Sequence, residues 1–76
     1  MSYYRFNSVA GVMHVGGHNI MIAAEKFGAW YAKTTGYDFL SYVMPDNVSN
    51  TIYYSIADEG GKYTLEVKYY PIDMIV

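Results

Sequence analysis

The sequence predicts an α+β domain: one amphipathic helix packed on an antiparallel sheet, in the order β(β)-α-β-β-β, with the last three strands forming a C-terminal meander. Two features carry this expectation. Between Asn19 and Gly36 apolar residues recur at helical spacing, and after Gly36 three strand-like runs are separated by turn residues.

The first fifteen residues are rich in Tyr, Phe and Val. Asn7-Ser8 can turn the chain between residues 3–6 and 9–15, so this segment forms one or two strands. Gly11, inside the second run, marks a bulge or a close backbone approach. Gly16-Gly17-His18-Asn19 then ends the extended pattern. Asn19 is a good N-cap, because its side-chain oxygen can accept from the free amides of a first helical turn. From Ile20 to Thr35 the helical period gathers Ile20, Met21, Ala23, Ala24, Phe27, Gly28, Trp30 and Tyr31 on one side, opposite Ile22, Glu25, Lys26, Ala29 and Lys33. Gly36 supplies the stop, and Lys33 suits the negative end of the helix dipole.

Residues 37–44 read as a strand closed by Pro45-Asp46-Asn47. Residues 50–57 and 62–70 follow as a hairpin around Asp58-Glu59-Gly60-Gly61. In that hairpin Tyr63, Leu65, Val67 and Tyr69 face one side, matched by Ile52, Tyr54 and Ile56, while Lys62, Thr64, Glu66 and Lys68 face the other. Pro71 is expected to interrupt the ladder, and the apolar tail through Val76 to dock on the body or on a second copy.

Seventy-six residues suit one domain, residues 1–76, and a chain this short buries only about 60% of the surface its unfolded form exposes. It contains no cysteine, which excludes disulfides and thiolate zinc sites. Oligomerisation or a very good core is the remaining support. Apolar residues make up 53% of the chain and charged residues only 16%, against a usual charged share of about 25%. Ten tyrosines exceed what so small a core can hold with every hydroxyl paired, so several must face solvent. Tyrosine supplies wide amphipathic contact area at low entropic cost, which makes an interaction surface the leading reading and strand preference alone the second.

A formal charge of −2, with basic residues spread along the chain, leaves no footprint for a phosphate backbone, so direct nucleic-acid binding is not expected. Tyr53, Tyr54, Tyr69 and Tyr70 on adjacent strands give only a faint stacking platform. The long uncharged stretch, residues 6–24, is broken by glycines, histidines and Asn19, so neither a membrane span nor a signal peptide is expected, and a cytoplasmic protein is.

No motif carries chemistry on its own. His14 and His18 are four apart, but Gly16-Gly17 between them disfavours a helix and no nearby carboxylate completes a site, so no metal is expected. The serines lack a nucleophile elbow and the carboxylates are scattered, so neither a catalytic residue nor a cofactor is expected. Ala24, Gly28 and Ala32 form a row of small residues that permits either close helix-on-sheet packing or helix pairing in a homodimer.

A short, cysteine-free, tyrosine-rich and weakly acidic chain of this kind resembles in type the small proteins with which phages and mobile elements block host enzymes, anti-CRISPR and other anti-defence inhibitors among them. The leading expectation is a steric protein-binding inhibitor or adaptor of a larger host protein. Its contact residues are Tyr3, Tyr4, Tyr42, Tyr53, Tyr69 and Tyr70, with Trp30 a core anchor or a hot spot. A homo-oligomer interface is expected at Ala24, Gly28, Ala32, Ile72, Met74 and Ile75. The second class is an oligomer that sequesters a small nucleotide or signal ligand at Gly16, Gly17, His18 and Asn19, where free helix amides favour an anion. The third is a structural or assembly subunit that polymerises through an exposed strand edge and the apolar tail.

Overall fold

Both tight hairpins use the same device. Ser8 Oγ accepts from the Ala10 amide at 3.1 Å and Asp58 Oδ1 from the Gly60 amide at 2.8 Å, each folding the chain back within two residues. The next residue is then a glycine at positive φ, Gly11 at 120° and Gly61 at 127°, a conformation open to glycine and strained for any side chain. The first turn thus centres on Val9-Ala10 and not on Asn7-Ser8. Gly11 serves the turn, and neither the bulge nor the close backbone approach expected there is found.

The computed structural model describes residues 2–44 and 50–72. In chain order the elements are β1 (Ser2–Ser8), β2 (Gly11–Gly17), α1 (Ile20–Thr35), β3 (Asp38–Val43), β4 (Thr51–Asp58) and β5 (Gly61–Ile72). The expected α+β architecture is what forms, with two N-terminal strands. The sheet runs β2-β1-β5-β4-β3, and every neighbouring pair is antiparallel. The N-terminal hairpin therefore joins the meander along β5. The turn expected at Pro45-Asp46-Asn47 and the docking expected of residues 73–76 lie outside the described residues.

The helix is bounded as its sequence dictates. Asn19 Oδ1 accepts from the Ile22 amide at 2.9 Å, a cap worth about 1 kcal/mol. At the other end Gly36 takes the left-handed conformation and its N–H donates to the Ala32 carbonyl. Between these stops α1 packs against β1, β2 and β3 and covers one face of the sheet.

Strand alternation supplies the matching face. Phe6, Val15, Ile52, Tyr54, Ile56, Leu65, Val67 and Tyr69 are buried beneath Ala23, Ala24, Phe27 and Tyr31. Phe27 sits at the centre, 5.0 Å ring to ring and edge-on to Phe6, and 5.5 Å from both Tyr54 and Trp30. A register shift between Phe39 and Ser41 bends β3 and carries Phe39 over the helix. Pro71 does not interrupt the ladder: it pairs with Tyr4 of β1 within β5. Its missing N–H would point away from β1, as the Tyr69 amide does toward Asn50, and β4 has already ended there.

Buried phenols leave a pH signature. The Tyr54 hydroxyl donates to the Ala24 carbonyl at 2.6 Å. Burial first, and the neighbouring Tyr42 second, hold its phenol well above the ordinary value of 10.0. The unfolded chain releases that proton above about pH 10 while the folded chain keeps it. The stabilisation is therefore complete below pH 10 and is lost as pH rises beyond it. Urea midpoints should fall above pH 10. Tyr54→Phe should lower stability by about 1 kcal/mol at pH 8 yet show a shallower alkaline decline; parallel declines would place the sensitivity elsewhere.

Candidate functional site

Among the described residues a single helix packs on the five-stranded sheet, covering one face and leaving the other bare. The bare face is read directly from the register. It carries Val12, His14 and Gly16 from β2, Tyr3, Arg5 and Asn7 from β1, and Lys62, Thr64, Glu66, Lys68, Tyr70 and Ile72 from β5. From β4 come Thr51, Tyr53, Ser55 and Ala57, and from β3 Asp38, Ser41 and Val43.

Near its middle lies an aromatic and cationic group. The Arg5 guanidinium carbon stands 4.9 Å from the centroid of the Tyr70 ring, a cation–π contact that also braces the ring. Tyr53 and Tyr70 are both exposed, and Tyr3 is half-buried. Lys68 extends to Thr51, Nζ to Oγ1 3.0 Å. Three of the chain's five basic residues, Arg5, Lys62 and Lys68, share this face with two acids, Glu66 and, opposite Ala57, Asp38, although the whole chain is net acidic. Two polar atoms here, Arg5 Nε and Asn7 Oδ1, are enclosed and find no hydrogen-bond partner among the described residues, a condition costing about 1–3 kcal/mol per group. They sit two residues apart on one strand, a donor beside an acceptor.

The expected contact residues divide accordingly. Tyr3, Tyr53 and Tyr70 lie on the bare face. Tyr69 does not: it is 4% exposed, edge-on to Phe6 in the core, because alternation turns it opposite to Tyr70. Tyr4 also faces the helix side and is half-buried. Tyr42 packs against Tyr54 and Phe39 on that same side, its hydroxyl 3.4 Å from both the Met21 carbonyl and a Glu25 oxygen. Trp30 is half-buried against Phe27. The stacking platform of four tyrosines is likewise split, since Tyr54 and Tyr69 are internal. What sequence reading missed was Arg5 and Asn7. Their signal was available in the alternation of β1, which places them beside Tyr3.

The small-residue row is used within the fold. Ala24 is fully buried, and a Cβ on Gly28 would fall 2.6 Å from Phe39 Cε2, so these positions meet the chain's own sheet and not a second helix. Ala32 is half-buried and Ile72 pairs with Tyr3. Met74 and Ile75 lie outside the described residues.

Several groups of the glycine turn are engaged within the fold. Asn19 is occupied capping Ile22, the Gly16 carbonyl accepts from Lys26 Nζ at 2.9 Å, and a Cβ at Gly17 would already meet the Ala23 nitrogen at 3.2 Å. His14 projects from the bare face and His18 is exposed in the bend. Among the described residues no group of three or more His, Asp or Glu side chains is placed to hold a metal. An open groove of about 360 Å³ lies instead at the far end of α1, lined by Thr35, Tyr37, Asp38, Asp58 and Glu59 among others. Its carboxylates adjoin the negative end of the helix, which disfavours a phosphate ligand. No described helix is long and apolar enough to cross a membrane.

No family model, curated protein or solved structure matches this chain.

Proposed function

We propose that the chain is a non-enzymatic binding protein that engages a protein partner through the bare face of its sheet, acting as a steric inhibitor or adaptor. The observation that carries this reading is the group formed by Tyr3, Tyr53, Tyr70 and Arg5 on a sheet face that no described element covers. Tyrosine and arginine are the residues on which interface energy concentrates, and here the rings are held in place by backbone pairing and by Arg5 before any partner arrives. The enclosed Arg5 Nε and Asn7 Oδ1 add a reason for association, since a partner that draws these side chains into new hydrogen bonds relieves a standing cost. The local excess of Arg5, Lys62 and Lys68 over Glu66 and Asp38 favours a partner surface rich in carboxylates and carbonyls.

The test uses Tyr53→Ala with Tyr70→Ala. Each side chain is exposed on the bare face, so the double variant is expected to retain its cooperative unfolding transition. A partner captured by the native chain from its host extract should bind the double variant about 30-fold or more weakly, from about 1 kcal/mol or more per hot-spot ring. Equal capture by both chains would remove this face from the account. Loss of the folded state in the double variant would show that the rings support the core.

A further inference from the structure

The two edges of the sheet differ. β3 is bent by its register shift, a common way of blunting an edge against further pairing. β2 is regular through all seven residues, is bounded by glycines, and carries no proline and no ionisable side chain besides His14.

The pairing pattern determines which of its amides are free. The Tyr69 amide donates to Asn50 on the β4 side, so alternation turns the amides of Lys68, Tyr70 and Ile72 toward β1. Tyr3, Arg5 and Asn7 answer them, which turns Tyr4 and Phe6 toward β2, where Val15 and Met13 stand opposite. The intervening Val12, His14 and Gly16 therefore direct N–H and C=O outward, along the uncovered edge. An independent contact agrees: the Gly16 carbonyl is the one reached by Lys26 Nζ, from the neighbouring helix.

These outward residues are symmetric about His14. We propose that this edge binds a second copy of the chain, β2 against β2, antiparallel about a two-fold axis at His14, so that the two sheets become one continuous sheet. In this register His14 faces the partner's His14, and Val12 and Gly16 face one another in both directions. Every outward N–H then meets a C=O.

The strand's own side chains select a second copy as the occupant. Val12, 64% exposed, lies opposite a glycine and so finds room and cover. No carboxylate, lysine or arginine stands on the strand to confront its own copy across the axis. The two Lys26 contacts fall four residues apart along the strand, about 14 Å, farther than charges act strongly in physiological salt. Each Gly16 carbonyl keeps a second lone pair for the incoming Val12 amide. Because His14 lies on the bare face, pairing sets the bare faces of both copies side by side. The pairing and the binding role of the bare face stand on separate observations, and either can fail alone.

The test places charges on the axis. His14 is exposed, so His14→Lys and His14→Glu should both fold, as denaturation of each will show. Arg5 is its cross-strand neighbour and favours the Glu variant over the Lys variant within one copy. Sedimentation across concentration should show a native dimer, each variant alone dissociating at least tenfold more readily, and an equimolar mixture of the two recovering the dimer as a heterodimer. A native chain that stays monomeric at every concentration overturns the proposal. So does a dimer indifferent to both substitutions, or one that both abolish and the mixture fails to restore.

Discussion

Phe27→Ala is expected to remove about 3–5 kcal/mol of stability, the usual cost of emptying a buried aromatic site. The ring is fully buried and meets Phe6, Trp30, Tyr31 and Tyr54, so its loss opens a cavity between helix and sheet that no single neighbour can fill. A domain of this size has about 4–11 kcal/mol to lose, at 0.05–0.15 kcal/mol per residue. Thermal or urea unfolding should therefore show a variant at the margin of folding at 37 °C, whereas Lys33→Ala on the exposed side of α1 should change stability by no more than about 0.5 kcal/mol. A Phe27→Ala chain that unfolds within about 1 kcal/mol of the native one would mean that the helix is not seated where the ring contacts place it.

The second large effect is a change of sign. In an isolated helix Gly28→Ala would stabilise by about 1 kcal/mol, since alanine is the better helix former. Here the added methyl would fall 2.6 Å from Phe39 Cε2 and 2.7 Å from Cδ2. The Phe39 ring cannot simply retreat, being packed 5.6 Å from Tyr54 and 6.2 Å from Tyr42. Overpacking typically costs about 1–3 kcal/mol, which outweighs the propensity gain. Gly28→Ala should thus destabilise the native chain but stabilise a Phe39→Ala chain, a coupling of about 1–3 kcal/mol in a double-mutant cycle. Additive effects would reopen the reading of Ala24, Gly28 and Ala32 as a helix–helix contact between copies.

How much of this was legible beforehand follows from the range of each interaction. The helix boundaries are local chemistry: one Asn19 oxygen at one end and one left-handed Gly36 at the other, both visible as residue types. The β4–β5 hairpin is equally local, since a period of two and the Asp58–Gly61 turn place Leu65 and Val67 inward without reference to the rest of the chain. What sequence could not convey is that β1 inserts between β2 and β5, a pairing across more than sixty residues. That insertion brings Arg5 onto Tyr70 and so assembles the candidate site. Pro71 misled for a related reason, because its missing amide matters only if a strand lies on that side, and no described strand does. The tyrosine pairs show the limit from the other direction. Tyr53 and Tyr54, like Tyr69 and Tyr70, are neighbours on a strand, so one ring of each must be internal if the other is a contact residue.

Among the described residues the sheet has one face packed by α1 and the other uncovered. Nitration of the free native chain, followed by peptide mass spectrometry, reads this residue by residue. Tyr53 and Tyr70 should be modified early, and Tyr31, Tyr54 and Tyr69 should resist until the chain unfolds. Early modification of Tyr54 and Tyr69 with protection of Tyr53 and Tyr70 would reverse the two faces and contradict the account.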